Sequence, residues 1–280
     1  MGAVRASARR THSDLVQAVR RTRVAAGDLT LWPIGGAGYI VKSASALITI
    51  DPFTGPSHPP HWIRAIPPAF DPARLAGVDA VVLTHEHDDH TDPTTLTALL
   101  AHTQALVIGS AACVAVVRGI GYPSERCHLL KHEQALAVKD VHLTAVAMHD
   151  PAAQDCNGYV VETPDVAILH CGDSLYFDGF HALARRWTLD AILVSVGVSP
   201  PGETLYMDEA DAARAARDSG AQTIIPQHFD LWQSTAMDPR RVVTVAGWYC
   251  AHTGYSRLRE ATRNHLRTVR RYGRTRWRVT

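Results

Sequence analysis

The stretch DAVVLTHEHDDHTD, residues 79–92, runs an apolar segment directly into three histidines and three acidic residues within six positions. Its apolar part has the composition of a buried β-strand. His85 and His87 stand two positions apart where that strand runs out, so both imidazoles can face one cation. Asp89 and His90 then turn toward a second cation. We therefore interpret the pattern H-x-H-x-D-H as a metal-binding motif, and not as a turn in which an aspartate only caps the next helix.

Further ligands are expected at the ends of later strands, because the histidines that close a metal site in a sheet come from different strands. Three polar residues follow apolar runs and precede loops: His149 in AVAMHDP, Asp173 in ILHCGDSLY and His228 in TIIPQHFD. A lone histidine in such a place is usually a surface residue. Combined with the motif, these three residues become candidate ligands.

Length and composition indicate a globular protein. The chain has 280 residues, of which 46% are apolar, enough for a sizeable core. No stretch approaches roughly 18 uninterrupted apolar residues, and the Arg-rich start lacks the apolar segment of a secretory signal, so we expect a cytoplasmic protein with no membrane contact. The five cysteines are widely spaced and never form C-x-x-C, which favours reduced thiols.

The charge is distributed unevenly along the chain. Residues 1–23 hold six Arg against one Asp, and residues 251–280 hold nine Arg against one Glu, whereas the net charge of the whole chain is +1. Residues 24–250 therefore carry −12. An acidic body suits a protein that collects carboxylates around cations. We expect the basic ends to be solvated or packed on this body or on a sister subunit of a homo-oligomer, and we do not expect a nucleic-acid partner.

Short strands dominate the first part of the chain. DLTLWPIGG, AGYIVKS and ALITIDPF alternate or run apolar with Gly, Ser and Pro between them, which predicts consecutive antiparallel strands. From residue 79 strands alternate with helices, and DPTTLTALLAH predicts a helix with Asp92 as its N-cap and Pro93 in its first turn. Two packed sheets with outer helices fit this order best.

The sequence resembles the metallo-β-lactamase superfamily and, more narrowly, is similar to the L-ascorbate-6-phosphate lactonase family. The narrower resemblance spans about residues 24–245. Beside the metal motif, it rests on GDLTLWPIGGAGYIVKS, GYPSERCHLLK, VKDVHLTAV, NGYVVETPDVAILHCGDSLY, SPPGETLYMDEADAARAA and IIPQHFDLW. It implies an α/β fold, the αββα four-layer sandwich of metallo-β-lactamases, with the metals at one edge between the sheets.

Three parts of the chain follow from this resemblance and from the charge pattern. Residues 1–27 are an expected basic arm in which Val16 and Val19 belong to the apolar stripe of a short helix. Residues 28–250 are the expected metallo-β-lactamase-like hydrolase domain. Residues 251–280 are an expected basic extension that packs on the domain.

The resemblance also implies the ligands of two divalent metal ions. Carried over residue by residue, His85, His87 and His149 would hold one metal ion, Asp89, His90 and His228 would hold the other, and Asp173 would bridge both. Zinc, manganese and iron(II) all accept such imidazole and carboxylate sets. The family favours manganese, with zinc next, and the histidine rather than glutamate at position 87 argues against redox iron.

The activity that the resemblance implies is hydrolysis by a metal-bridged hydroxide, which would open a lactone or related ester, with a phosphorylated sugar lactone as one option. Asp89 would orient the hydroxide, and Asp230 is the candidate proton donor. Asp51 would fix the tautomer of a ligating imidazole or else cap a turn, and Cys171 is expected in the core. The loop DPAAQDC after His149 is shorter than in the lactonase family, so the substrate stays open.

Two other functions stay open at this point. The same two-metal chemistry could cleave phosphodiesters as a nuclease, with the Arg-rich ends gripping a nucleic-acid backbone, and its activity would fall steeply with salt. A metal-binding assembly subunit without catalysis would bind metal but turn over no ester. Our main hypothesis is a metal-dependent hydrolase that acts on a small-molecule ester or lactone.

Overall fold

The computed structural model describes residues 12–253, together with the strand residues 259–260, 267–272 and 276–279. In chain order, the strands are β1 Leu29–Gly35, β2 Gly38–Lys42, β3 Leu47–Ile50, β4 Ala80–Val82, β5 Leu106–Gly109, β6 Cys127–Leu129, β7 Ala135–Val138, β8 Val141–Ala147, β9 Asn157–Glu162, β10 Ala167–His170, β11 Ala191–Ser195, β12 Thr223–Gln227, β13 Arg259–Glu260, β14 Arg267–Tyr272 and β15 Arg276–Val279. The helices are α1 His12–Arg21, α2 Pro93–Leu100, α3 Ala111–Gly119, α4 Phe180–Ala184, α5 Glu209–Asp218 and α6 Arg240–Thr253, with short 3-10 turns at Pro72–Arg74 and Ser124–Arg126.

These strands form two mixed sheets. The first has the order β15-β14-β1-β2-β3-β4-β5-β6, and the second has the order β13-β12-β11-β10-β9-β8-β7. The strands β1, β2 and β3 pair antiparallel, as the sequence predicts. From β3 to β6 the pairing is parallel, and so is the pairing from β10 to β13. The carboxyl ends of β3, β4 and β5 therefore lie at one edge of the first sheet.

Three buried apolar layers hold the elements together. One layer lies between the two sheets and contains residues such as Leu31, Ile48, Tyr159 and Leu193. A second layer packs α4, α5 and α6 on the outer face of the second sheet, and a third packs α1, α2 and α3 on the outer face of the first. The order of layers is helix, sheet, sheet, helix, which confirms the predicted αββα sandwich.

The local signals around the metal motif are also confirmed. Asp92 caps α2, where its carboxylate accepts hydrogen bonds from the backbone N–H groups of Thr94 at 3.1 Å and Thr95 at 2.9 Å, and Pro93 opens the helix. Ser110 caps α3 in the same way. Each helix therefore begins directly after the loop that follows a parallel strand, which fixes those loops at both ends.

Both ends of the chain contact the sandwich where they are described. Val16 and Val19 of α1 are buried in the outer layer, and the Lys42 ammonium donates to the carbonyl oxygens of Val19 and Thr22, each at 2.8 Å. Near the other end, β14 pairs with β1 and β13 pairs with β12. The domain boundaries at residues 27 and 250 stay predictions. Within the described part of the chain, we find no helix with the length and apolar character needed to cross a membrane.

Candidate metal centre

The histidine motif lies in a tight loop between β4 and α2. The backbone N–H groups of His90 and Thr91 both donate to the carbonyl of His87, at 2.9 and 2.8 Å, and the Thr91 hydroxyl donates to the carbonyl of His85 at 2.6 Å. Because β4 is buried on both faces and Asp92 starts α2, the loop is anchored at both ends. The side chains of the motif therefore project from a fixed backbone.

His85 and His87 converge on the carboxylate of Asp150. The distance from His85 Nε2 to Asp150 Oδ2 is 3.5 Å, and that from His87 Nδ1 to the same oxygen is 3.6 Å. The two ring nitrogens lie 3.0 Å apart. Two imidazole nitrogens and one carboxylate oxygen so close together form a candidate cation site.

The structure does not bring His149, the ligand expected from sequence, into this group. Its side chain is exposed, and its ring packs toward Phe177 with the centroids 6.3 Å apart. Its backbone N–H donates to the hydroxyl of Ser174 at 3.0 Å, and its carbonyl accepts from the N–H of Leu175 at 2.7 Å. These two bonds hold His149 against the loop after β10, and Asp150 faces the histidines in its place.

Asp89, His90 and His228 form a second group, as the sequence predicts. His228 Nε2 lies 3.1 Å from Asp89 Oδ2, and His90 Nε2 lies 3.8 Å from Asp89 Oδ1. His228 comes from the end of β12 in the other sheet, so the group spans the gap between the two sheets. Both histidines are buried.

Asp173, after β10, stands between the two groups. Its Oδ2 lies 3.2 Å from His90 Nε2 and 3.4 Å from His228 Nε2, and it also falls within 4.8 Å of a ligand nitrogen of His85. This is the position that a carboxylate shared between two cations needs.

The electrostatics of the cluster favour bound cations. Burial lowers the pKa of His85 to about 3, so this ring is neutral at pH 7 and keeps a lone pair for a metal. Burial alone would lower the pKa of His90, but neighbouring carboxylates, led by that of Asp173, raise it well above its usual value. Burial would raise the pKa of Asp173, and the nearby charges of His228 and His90 lower it well below its usual range. Ionised carboxylates buried together need positive charge to balance them.

Unpartnered atoms support the same conclusion. Asp173 Oδ1 is buried and makes no hydrogen bond, and His90 Nε2 faces the Oδ2 of the same carboxylate at 3.2 Å. Buried polar atoms are normally paired, and a cation bound here would satisfy both groups. The donor set of imidazoles and carboxylates is one that manganese and zinc accept, and these residues therefore fit a divalent metal.

Asp51 holds one of the candidate ligands from behind. Its Oδ2 lies 2.8 Å from His90 Nδ1 and accepts the Thr84 hydroxyl at 2.6 Å, while its Oδ1 accepts the backbone N–H of Thr84 at 2.8 Å. With the proton on Nδ1, the lone pair of His90 Nε2 faces the cluster. Of the two roles that the sequence left open for Asp51, the geometry favours the tautomer-fixing one.

Two residues of the centre have a strained backbone. His228 has φ 65° and Asp51 has φ 42°, values that residues other than glycine seldom adopt. The N–H of His228 donates to the carbonyl of Gly36 at 3.0 Å, and a Cβ at Gly36 would lie 2.9 Å from the side chain of Leu231. The glycine turn between β1 and β2 therefore lets the chain approach His228 closely, and such strain is concentrated at functional sites.

The cluster opens into a cavity of about 590 Å³ formed by described residues. Asp89 and Asp173 lie in its lining, and Trp62, Trp232 and Tyr206 add aromatic surface. The indole N–H of Trp232 donates to Asp89 Oδ2 at 2.9 Å. Trp232 was missed from sequence, although it lies four positions after His228 in the motif IIPQHFDLW, because nothing local connects an indole to Asp89.

The other residues that the sequence singled out lie outside this lining. Asp230 is buried and its carboxylate accepts the backbone N–H of Gly36 at 3.3 Å, so it supports the glycine turn. The position gives no support to the predicted proton-donor role. Cys171 is buried in the apolar layer under α4 and α5, as expected for a core residue, and burial raises the pKa of its thiol.

A two-sheet sandwich with helices on both sides and a histidine and aspartate cluster facing a cavity defines a class, the metal-dependent hydrolases of the metallo-β-lactamase fold. The family model described as Beta-lactamase superfamily domain matches residues 47–229, well over half of the sequence. The chain therefore belongs to the β-lactamase superfamily.

Named relatives and solved structures agree with this assignment. The probable L-ascorbate-6-phosphate lactonase UlaG of Escherichia coli O45:K1 (strain S88) is 28% identical in an alignment of 274 positions, and the match covers 82% of this chain and 77% of the relative. Its counterpart in Salmonella heidelberg (strain SL476) is 27% identical with the same coverage.

Two solved structures share the fold. The isothiocyanate hydrolase from Delia radicum gut bacteria superposes with a TM-score of 0.67 at 19% identity, and the match covers 86% of this chain and 98% of that one. The metallo hydrolase Igni18 from Ignicoccus hospitalis superposes with a TM-score of 0.64 at 15% identity, and the match covers 88% of this chain and 100% of that one. These two structures agree with the fold, and the family model and the named relatives identify this protein as a metal-dependent hydrolase. The alternative of a metal-binding subunit without catalysis is set aside.

Proposed function

We propose that this protein hydrolyses an ester bond in a small molecule, and that a lactone is its substrate class. The observation that carries the proposal is the convergence of imidazole nitrogens and carboxylate oxygens on a cavity of about 590 Å³, with the buried Asp173 Oδ1 making no hydrogen bond. Relatives named as lactonases support the choice of a lactone.

The proposed ligands of two divalent cations follow the two groups of the structure: His85, His87 and Asp150 for one, Asp89, His90 and His228 for the other, and Asp173 between them. We propose manganese before zinc, because Asp150 supplies an oxygen where the sequence suggested a third imidazole, and carboxylate oxygen suits manganese better. Such a pair of cations, when bound, supplies a hydroxide nucleophile at neutral pH and polarises the ester carbonyl.

The residues of the chain orient this chemistry. Asp51 keeps the His90 lone pair turned toward the cluster, and the Trp232 indole fixes one oxygen of Asp89. The remaining oxygen of Asp89 is free of that bond and is the group that we propose orients the nucleophile. The aromatic surface of Trp62 and Tyr206 keeps bulk water from one part of the cavity, which strengthens every charge interaction inside it.

Proton supply needs no dedicated residue for a lactone. Hydrolysis breaks the bond between the acyl carbon and the ring oxygen, and the leaving alkoxide stays attached to the product. Solvent at the open mouth of the cavity is able to protonate it, so we do not propose Asp230 as the donor. If Asp230→Asn changes the pH dependence of kcat without changing metal content, that part of the proposal is wrong.

The first experiment is acid release in a pH-stat from manganese-reconstituted protein, with a panel of lactones and simple esters. His85→Ala and Asp173→Ala should lose at least one bound metal ion, measured by elemental analysis, and should abolish hydrolysis while the circular dichroism spectrum stays native. Full activity in either variant would contradict the two-cation site.

Two adjacent residues give a matched test of the ligand set. Asp150→Ala should weaken metal binding at the group of His85 and His87, whereas His149→Ala should bind metal like the wild type, because its ring is exposed and faces Phe177. Competition with a chelating dye measures both affinities. The reverse result, with metal lost only in His149→Ala, would restore the ligand first expected from sequence.

The phosphodiesterase alternative is tested in the same assays. It predicts turnover of bis(p-nitrophenyl) phosphate in preference to any lactone, and a steep fall in the cleavage of nucleic acid with salt. Cytoplasmic location and homo-oligomeric assembly stay predictions, and size-exclusion chromatography with light scattering tests the second.

A further inference from the structure

We propose that the substrate is an uncharged lactone or ester that carries a flat apolar group, and not a phosphorylated sugar lactone. The inference rests on the proposed function and deepens it by naming the substrate class. It comes from the charges and the aromatic side chains that line the cavity beside the candidate metal centre.

The described lining of the cavity contains five carboxylates and neither a lysine nor an arginine. Three of these carboxylates belong to the proposed ligand set. The other two, Glu86 and Asp88, lie on the lining with no cation assigned to them. Glu86 Oε1 accepts the backbone N–H of Gln154 at 2.7 Å, and its Oε2 is buried without a partner. The imidazoles of His58 and His87 are the only basic side chains of the described lining, and a phosphate dianion beside Glu86 and Asp88 would meet negative charge, so this lining disfavours it.

Two basic residues of the resembling segments, Lys42 and Arg241, form contacts elsewhere. The Lys42 ammonium is bound to the carbonyls of Val19 and Thr22, beneath α1. Arg241 pairs with Glu209, with 2.5 Å between Nη2 and Oε1. Neither residue is therefore available to a phosphate in the cavity.

Arg64 is a cation whose charge interacts with that of Asp89. Its Nε donates to the carbonyl of Ile66 at 3.1 Å, and its Nη1 donates to the carbonyl of Gly55 at 3.0 Å. The guanidinium stacks on Phe53, 4.8 Å from the ring centre, and lies outside the described lining of the cavity. Its Nη2 is buried and makes no hydrogen bond, but Arg64 is not among the residues that line the cavity, so we assign it no phosphate contact there.

The aromatic wall of the cavity, formed by Trp62 and Trp232, favours a flat apolar group. Trp62 and Trp232 lie with their ring centres 5.7 Å apart and their planes 57° apart. Phe53 packs behind Trp232 at 5.7 Å, and the bond to Asp89 fixes the indole, so the wall is preorganised. Trp62 is partly exposed and free to accept a flat group against its face.

Three substrates separate the possibilities in metal-reconstituted full-length protein. Dihydrocoumarin is an uncharged aromatic lactone, δ-valerolactone has the same lactone ring without the aromatic group, and L-ascorbate 6-phosphate carries the phosphate. Because the phenoxide of dihydrocoumarin leaves more readily than an alkoxide, the comparison is made on KM: we expect the lowest KM for dihydrocoumarin and a KM at least tenfold higher for the phosphorylated lactone. A lower KM for L-ascorbate 6-phosphate than for dihydrocoumarin would overturn the inference.

A pair of tryptophan variants tests the wall itself. Trp62→Leu should raise KM for dihydrocoumarin at least tenfold and change KM for δ-valerolactone less than twofold. Trp187→Leu is the control, because Trp187 packs on the layer under α4 and stacks with Arg186, away from the cavity. Equal losses on both lactones, or the same loss in the control, would show that Trp62 does not recognise an aromatic group.

A binding measurement keeps this inference separate from the proposed function. Dihydroquinolin-2-one is the lactam analogue of dihydrocoumarin and resists hydrolysis. If it binds in calorimetry and binds at least tenfold more weakly to Trp62→Leu, while no lactone is turned over, the substrate class stands and the lactonase proposal fails. If lactones are hydrolysed but the lactam binds equally to wild type and variant, the activity stands and this inference fails.

Discussion

Replacing Asp51 by Asn changes one atom behind the candidate metal centre. Burial alone would raise the pKa of Asp51, but the charge of His90 and the hydrogen bond with it lower the pKa, so the carboxylate is ionised at pH 7. Asn has the same shape and tolerates the left-handed backbone of position 51, where φ is 42°, so the turn is expected to persist. The change is in the hydrogen-bonding character of the group that faces His90 and the Thr84 hydroxyl.

The expected effect on metal affinity follows from the tautomer. In Asp51→Asn the amide oxygen keeps the bond from the backbone N–H of Thr84, and the amide NH₂ faces His90 Nδ1. His90 Nδ1 must then accept, which moves the proton to Nε2, the nitrogen that lies 3.2 Å from Asp173 and has no other partner. A protonated nitrogen cannot bind metal. Loss of such an outer partner lowers metal affinity about 10- to 100-fold, or about 1.4 to 2.8 kcal/mol.

The assay is a competition titration of manganese and of zinc between the protein and a chelating dye, with metal content checked by elemental analysis. The matched control is Asp190→Asn, because Asp190 is also a buried carboxylate that accepts a backbone N–H, that of Ala167 at 2.9 Å, in the second sheet. The control should keep both metal ions at wild-type affinity. Unchanged affinity in Asp51→Asn, or equal loss in both variants, would refute the tautomer argument.

Three further predictions concern stability. Tyr159→Phe removes a hydroxyl that donates to the carbonyl of Leu83 at 3.0 Å across the two sheets, so urea denaturation should show about 1–3 kcal/mol less free energy of unfolding, with metal content unchanged. A wild-type value would show that this bond contributes nothing. Burial raises the pKa of Asp140, but hydrogen bonds from Ser43 and Ser45 lower it overall. The unfolded chain thus binds protons more readily, so the stabilisation that the ionised Asp140 provides is lost as pH falls below about 4. The difference in unfolding midpoint between wild type and Asp140→Asn should therefore disappear below that pH. A difference that does not depend on pH would contradict this. Removal of metal with a chelator should lower Tm, and added manganese should raise it with concentration, because only the folded state presents the site; a Tm indifferent to metal would argue against the site.

Local chemistry made much of the fold predictable. The alternating apolar runs of β1 to β3, and Asp92 and Pro93 at the start of α2, are signals carried by neighbouring residues. The order of strands in the two sheets could not be predicted in this way, because β14 pairs with β1 across most of the length of the chain. No local signal encodes such a pairing, and the four-layer arrangement could be expected only because the sequence resembles a known superfamily.

The candidate site likewise has residues that the local sequence predicts and residues that only the fold brings together. His85, His87, Asp89 and His90 fall within six consecutive positions, so their grouping needed no knowledge of the fold. Partners such as Asp51 behind His90, or Trp232 on Asp89, are recognised only when strands from different parts of the chain meet at one edge. A hydrogen bond across 39 positions of sequence, as between Asp51 and His90, has no signature in the spacing of either residue.

The pair His149 and Asp150 shows where sequence reasoning reaches its limit. Both residues follow β8, which ends at Ala147, so the alternation of a strand no longer decides which side chain faces the cluster. The backbone of His149 is held by two hydrogen bonds, one that its N–H donates to the Ser174 hydroxyl and one that its carbonyl accepts from the N–H of Leu175, in the loop that also carries Asp173. The loop after β10 thus carries the carboxylate of Asp173 and also positions that of Asp150 near His85. A histidine is the better ligand by residue type alone, yet the segment that carries Asp173 places a carboxylate there, and this makes the centre richer in oxygen than the motif suggests.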